Sequence, residues 1–292
     1  MEQQFSRLIL GSWRVRDWGR TPAELADFFS ACADLGLTSI DFADIYGDYE
    51  AEAACGAAFA LRPGLRRRLR FIGKCGIKLT SAKHPERRLN HYDTRRGHLI
   101  AAAEQTLINL GTDHLDTLLI HRPDPLMDAD EVAEAFTVLQ RAGKVRSFGV
   151  SNFTPSRLKL LQSRLPFRLV ANQVEVSLLH VETLYDGTLD QCQRLGIVPQ
   201  AWSPLGGGAL FDDSPARAPL RAMLAQIGEE LGGATPAQVA LAWLLAHPAR
   251  IHPIIGSGKL DSMRQAARAL DLRLDREQWF LLLRAAVGHD VP

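Results

Sequence analysis

Eight short runs of apolar and β-branched residues punctuate the chain, at residues 7–11 (RLILG), 37–41 (LTSID), 69–74 (LRFIGK), 115–121 (LDTLLIH), 145–151 (VRSFGVS), 170–176 (VANQVEV), 197–203 (IVPQAWS) and 251–256 (IHPIIG). Each is of strand length. Between them, apolar positions recur every three or four residues, as in TPAELADFFSACADLG, RGHLIAAAEQTLINLG, DADEVAEAFTVLQRAG and TPAQVALAWLLAHP, a spacing that builds one buried face on a helix. Several of these segments open on Thr-Pro or Asp and close on Gly, residues that cap helix ends. Strand and helix alternating about eight times predict a parallel sheet, because parallel neighbours need crossovers. At that count the expected α/β fold is a closed (β/α)8 TIM barrel, with an open doubly wound sheet as the alternative. A last helical segment, DREQWFLLLRAAVG, falls beyond the eighth unit and is expected to cap an end of the barrel.

With 292 residues and no Pro- or Ser-rich linker, the chain reads as one domain spanning residues 1–292. A net charge of +1 gives no field that would recruit nucleic acid or an anionic membrane, and no obligate protein partner is evident. Cys32, Cys55, Cys75 and Cys192 stand singly and read as reduced thiols, and the histidines include no H-x-H pair, so no metal site is expected. The N-terminus has no basic region leading into a long apolar core, and no apolar run approaches the roughly 18 residues that span a bilayer. A cytoplasmic location is the resulting expectation. The basic run LRRRLR at 65–70 precedes a strand at the opposite end of the barrel from the loops discussed next and reads as surface.

In barrels of this kind, catalysis is carried by the C-terminal ends of the strands and the loops that follow them. The second run delivers Asp41 and, after a short loop, Tyr46; the third delivers Lys74 and the fourth His121. The later runs bring Ser151 and Asn152, then Gln173, then Trp202 and Ser203 ahead of PLGGG. Each residue alone has a structural reading: a helix cap, a rim aromatic, a solvated strand end, a hydrogen-bonded core histidine. Together, a carboxylate, an ammonium and an imidazole with a phenol in reach form a chemically specific set. A tyrosine, with a reference pKa of about 10, is a weak acid; a nearby ammonium stabilises its phenolate, a carboxylate holds that ammonium in place, and an imidazole donates a hydrogen bond to a carbonyl oxygen.

The motifs LGSW, DFADIYG, GKCG, HLDTLLIHRPDPL, GKVRSFGVSNF, NQVEVS, AWSPLGGG, TPAQVALAWLL and PIIGSGK run nearly end to end. In them the chain resembles the aldo-keto reductases, and among these the bacterial oxidoreductases of the YdhF type. The resemblance implies a (β/α)8 barrel that moves hydride between a nicotinamide cofactor, usually NADP(H) and less commonly NAD(H), and a small-molecule aldehyde or ketone. It places the proton donor at Tyr46, the group tuning it at Lys74, the lysine's partner at Asp41 and the substrate-orienting imidazole at His121; Tyr49 does not match the motif and is left as a rim residue. It also sets the nicotinamide carboxamide against Ser151, Asn152 and Gln173, the ring on Trp202, and the phosphates in the loops carrying Ser203, Leu205 and Gly206 and then Gly256, Ser257, Gly258 and Lys259. Many relatives have an arginine and an asparagine where this chain has Ser262 and Ala266, which leaves Lys259 or Arg264 to supply a cation for a 2′-phosphate.

Trp13, with Trp18 and the long segment KLTSAKHPERRLNHYD at 78–93, is expected to surround the substrate end of the nicotinamide site. The HPERR charges within that segment leave two readings open, a solvated face or part of the site. Rival enzyme classes fit less well. A short-chain dehydrogenase needs Tyr and Lys four residues apart, and no tyrosine here is followed by lysine at that spacing. A cofactor-sensing barrel with little turnover is the remaining alternative.

Overall fold

The computed structural model describes residues 4–290. Its strands are β1 (Ile9–Gly11), β2 (Ser39–Asp41), β3 (Arg70–Cys75), β4 (Ile77–Lys78), β5 (His91–Tyr92), β6 (Leu115–Ile120), β7 (Val145–Ser151), β8 (Ala171–Glu175), β9 (Val198–Trp202) and β10 (His252–Ile255). Eight of them close into a parallel barrel in the order β1, β10, β9, β8, β7, β6, β3, β2, while β4 and β5 form a separate antiparallel pair. All eight apolar runs are barrel strands, so the sheet is closed and the open alternative falls away.

The helices begin where their caps say they should. Thr21 accepts a hydrogen bond from the Glu24 amide ahead of the helix Pro22–Asp34, Thr235 does the same for Gln238 ahead of Pro236–Leu245, and Asp275 for Gln278 ahead of Arg276–Val287. In all three the third helical side chain bonds back to the cap amide, which satisfies donors a helix start otherwise leaves orphaned. The main apolar core lies between the barrel and the helix layer, gathering Phe29, Phe42, Phe59, Phe71, Phe136 and Phe148 among others. Inside the barrel is a smaller layer of Ile9, Ile72, Leu119, Ala171 and Ile254, closed at its base by Phe5.

Two expectations need correction. The last helix does not cap a barrel end: it packs on the helix layer, with Leu282 and Leu283 buried beside Leu220, Leu224 and Ile227, and Trp279 stacked on Trp243 at 4.9 Å. Each indole N–H donates to the other tryptophan's backbone carbonyl, so the pair is also a polar clasp. Nor is the LRRRLR run merely surface. Arg66 is half-buried, its guanidinium over the Phe71 ring at 4.4 Å and bonded to Asp116 at 3.0 Å and to the carbonyls of Leu69 and His114. It bolts the entry of β3 to the entry of β6.

Two histidines away from the site are drawn out of water, His252 buried and His98 half-buried. Burial pulls His98 and His252 to about 4 from the ordinary 6.5, with Lys78 adding to the effect on the first and Arg7 on the second. The unfolded chain then binds more protons than the folded one between these values, so stability is full above 6.5 and falls as the pH drops toward 4. Thermal melts stepped across that window are expected to show a falling midpoint, with His252→Asn flattening part of the fall; a level midpoint would contradict the neutral burial of these rings.

Candidate functional site

Side chains on a strand alternate between its two faces, so inward residues recur every second position. On β3 that pairs Ile72 with Lys74, on β8 Ala171 with Gln173, and on β9 Val198 with Gln200 and Trp202; on β6 Leu119 is followed at the same period by His121. The lower member of each pair is apolar and the upper one is polar or aromatic. The barrel interior is therefore a dry layer beneath a polar ring, and the ring sits at the C-terminal ends of the strands.

At its centre Lys74 Nζ donates to Asp41 Oδ1 at 2.5 Å, the lysine having no exposed surface. The same carboxylate oxygen accepts from Gln173 Nε2 at 2.7 Å, and its other oxygen lies 3.4 Å from the Tyr46 hydroxyl. The ammonium stands 4.8 Å from the centroid of the Tyr46 ring, and the His121 ring meets that tyrosine edge-on at 5.9 Å. Asp41, Tyr46, Lys74 and His121 thus come together as the sequence predicts. Tyr46 is followed by three left-handed residues, Gly47, Asp48 and Tyr49, at φ of 57°, 53° and 66°. The tight turn is braced where Tyr49 Oη accepts from the Leu79 amide and from Arg87.

The electrostatics differ from the expectation in one respect. Lys74 was expected to lower the pKa of Tyr46, but burial and then Asp41 push that phenol well above its usual value, and the largest opposing charge is Arg122. The reason is geometric: the ammonium is bonded to Asp41 and only faces the ring of the tyrosine. Burial lowers the pKa of Lys74, and Asp41 works against that. Burial, with Lys74 and Arg122, holds His121 well below the usual imidazole value, so it is the neutral ring that faces Tyr46.

Around the ring lie the other predicted contacts. Trp202 Nε1 donates to Asn152 Oδ1 at 3.0 Å, Asn152 Nδ2 donates to Ser151 Oγ at 2.8 Å, and Ser151 Oγ donates to the Gln173 carbonyl at 2.9 Å. Asn152 and Ser203 both have left-handed backbones, at φ of 59° and 48°. Leu205 is partly buried, and Gly206 curls so closely over Leu179 that an added Cβ would lie 2.5 Å from its side chain. After β10, Gly256 is open around its Cα, while Ser257 Oγ accepts from the Lys259 amide. Lys259 is exposed at the start of the helix Leu260–Arg268 and has no carboxylate partner among the described residues, whereas Arg264 is tied to Asp261 at 2.8 Å.

Trp13 is 58% exposed and, with Arg14, Arg16, Ile45 and Asp48, helps line a cavity of about 390 Å³ whose lining includes none of Asp41, Tyr46, Lys74 and His121. Trp18 lies elsewhere: it packs on Phe28 at 5.3 Å and against Gly258, on the β10 side. The long segment after β3 has an element of its own, the β4–β5 pair. Of its HPERR charges Arg87 is more than solvated surface, because it also bonds the Leu79 carbonyl, and Lys83 just before them bonds Glu50.

Sequence reading missed Gln200, whose carbonyl oxygen accepts from Gln173 at 3.1 Å, and gave no role to Asp44, which has one buried, unpartnered oxygen. Burial, reinforced by Glu52, pushes the Asp44 carboxyl well above its usual range. Arg122, adjacent to His121, was also missed. Among the described residues, no group of His, Cys, Asp and Glu is placed to hold a metal, and no helix is long and apolar enough to cross a membrane.

A sequence profile described as the Aldo/keto reductase family matches residues 7–284. The chain belongs to that family. This family member is 54% identical to oxidoreductase YdhF of Escherichia coli over 99% of the chain and 96% of that protein, and 46% identical to the 6-dehydroglucose reductase of Agrobacterium fabrum over the same shares. An aldo/keto reductase from Klebsiella pneumoniae, crystallised with NADP and acetate, has the same fold at a TM-score of 0.78 and 26% identity, over 99% of this chain and 93% of that one.

The buried ion pair makes a direct prediction. Removing one member leaves the other charge without compensation, which costs about 3–5 kcal/mol, while neutral isosteres in place of both are nearly tolerated. Asp41→Asn is therefore expected to lower the denaturation midpoint strongly and Asp41→Asn with Lys74→Met to recover most of it. A double variant no more stable than the single would contradict a charged pair.

Proposed function

We propose that the protein reduces aldehydes or ketones to alcohols with hydride from a nicotinamide cofactor, Tyr46 giving the proton. The observation that carries this reading is the junction of Tyr46, Asp41, Lys74 and His121, with the tyrosine hydroxyl 3.4 Å from the carboxylate that also pairs the lysine. The cofactor, when bound, supplies the hydride. The chain supplies the rest. Burial and Asp41 keep Tyr46 a neutral phenol, so it holds a proton to give as the carbonyl oxygen gains charge. The Lys74 ammonium, bonded to Asp41, fixes the carboxylate that stands 3.4 Å from the tyrosine hydroxyl. Neutral His121 has one ring N–H to direct at the same oxygen and orient it.

The donor set suits a nicotinamide. Ser151, Asn152 and Gln173 bear groups that hydrogen-bond a carboxamide, and the Trp202 indole, fixed through Asn152, offers a flat face for ring stacking. Glycines with left-handed backbones after β9 allow close approach of pyrophosphate, and barrels bind phosphate after their seventh and eighth strands. Lys259 at a helix N-terminus suits the 2′-phosphate of NADP(H), since the helix end and the free ammonium both favour an anion. Arg264 fits less well because Asp261 already neutralises it. That a similar Klebsiella pneumoniae protein was crystallised with NADP supports this cofactor over NAD(H).

For the carbonyl partner, the Agrobacterium fabrum relative named as a 6-dehydroglucose reductase makes a carbonyl-bearing sugar the first candidate. Tyr46→Phe is expected to retain cofactor binding, read by tryptophan fluorescence, and to lose about 100-fold or more of its carbonyl reduction. Lys74→Met should shift or abolish the pH profile of turnover. Near wild-type rates from Tyr46→Phe would remove the tyrosine from the acid role.

A further inference from the structure

Strands β1 and β10 are neighbours in the barrel, so the segments that leave them emerge side by side at the same rim. The two segments touch. Trp18, after β1, lies so close to Gly258, after β10, that a Cβ added there would stand 2.5 Å from the indole, and Trp18 in turn meets Phe28 edge-on. Arg20 completes this support. Its guanidinium rests over the Phe28 ring, 5.0 Å from the centroid, and donates to the Gly258 carbonyl at 2.8 Å, one residue before Lys259. No carboxylate pairs with it among the described residues, and Glu24, which opens the following helix, is engaged by Thr21 instead. None of its donors is both buried and unpartnered, so those not on Gly258 meet solvent.

Resting on the reductase reading, we infer that Arg20 is a cofactor-specificity residue, which with Lys259 grips the 2′-phosphate and selects NADP(H) over NAD(H). The loop it touches is the one that reading gives to the phosphate, and a dianion there needs more than one cation. Ser262 supplies no charge and Arg264 is tied to Asp261 at 2.8 Å. Arg20 and Lys259 border the same loop with no carboxylate neutralising either of them among the described residues. They are complementary: the lysine is a mobile point charge, while the guanidinium is a planar set of donors that matches phosphate oxygens. Phe28 and the Gly258 carbonyl hold that plane in place without cancelling its charge, so less side-chain freedom is left to lose on binding. NAD(H) has a ribose hydroxyl where NADP(H) has the phosphate, and it gives these cations no anion to meet.

The test is calorimetric titration with NADPH and with NADH, no carbonyl present, of the wild type, Arg20→Met, Arg20→Lys and Lys259→Met. The wild type is expected to bind NADPH the more tightly. Arg20→Met should cut that preference by about tenfold, equivalent to about 1.4 kcal/mol, by weakening NADPH. Lys259→Met should cut it as well, and Arg20→Lys, which keeps the charge and loses the planar donors, should restore only part of what Arg20→Met loses. The NADPH preference of the wild type should also fade with added salt, because it is a contact between charges open to solvent. A preference in Arg20→Met within about twofold of the wild type, a change too small to carry a charge-assisted bond, would overturn the inference. So would an equal loss for both coenzymes, which belongs to a brace that only shapes the loop, or a wild type with no preference at all. A wild type that prefers NADPH yet reduces no carbonyl fails the proposed function, while the titrations still decide the role of Arg20.

Discussion

A lysine ammonium with no solvent contact has to be paired, and Lys74 has its partner in Asp41 at 2.5 Å. That requirement fixes much of the rest. Asp41 ends β2 and Lys74 lies near the end of β3, so the pair ties adjacent strands at the rim of the barrel. Asp41 is itself anchored from the other side, its carbonyl accepting from both the amide and the hydroxyl of Ser12 after β1. Across the barrel, Gln173 donates to the same carboxylate, so a charge pair on two strands is held from a third. Buried charges retain their ionised form only with such additional hydrogen bonds. Tyr46 is placed by this cluster and takes its electrostatics from it: the carboxylate that keeps the lysine charged also keeps the tyrosine protonated.

Strain collects around this rigid centre. The three left-handed residues after Tyr46, and the left-handed Asn152 and Ser203 on the far side, are all in loops at the same rim. Such conformations cost on the order of 1–3 kcal/mol each for non-glycine residues and persist where the surroundings over-determine them. Here the bracing is visible: Tyr49 is bonded to the Leu79 amide and to Arg87, and Asn152 is held between Trp202 and Ser151. The barrel supplies stability, and the rim spends some of it on holding side chains in place.

The barrel was legible because each strand is an apolar run bounded by turn residues, and the helices because Thr21, Thr235 and Asp275 announce their starts. Asp41, Lys74 and His121 were legible because a polar residue ending an apolar run is informative in a barrel, and Tyr46 because the family motif fixes its spacing. The β4–β5 pair was not, since strands of two residues carry no period. Gln200 hid inside the run it belongs to, and Arg122 reads as a loop charge until its place over the Trp202 ring is seen. The direction of the Tyr46 shift could not be read either. It depends on the ammonium's being bonded to Asp41, and sequence spacing does not carry that distance.

The most direct measurement is the oxidation of NADPH and of NADH by the purified protein, followed by absorbance with an aldehyde as acceptor. The account predicts aldehyde-dependent oxidation, faster with NADPH, whose 2′-phosphate is proposed to meet the Lys259 ammonium. Tight NADPH binding with neither cofactor oxidised would contradict it and leave a cofactor-sensing barrel.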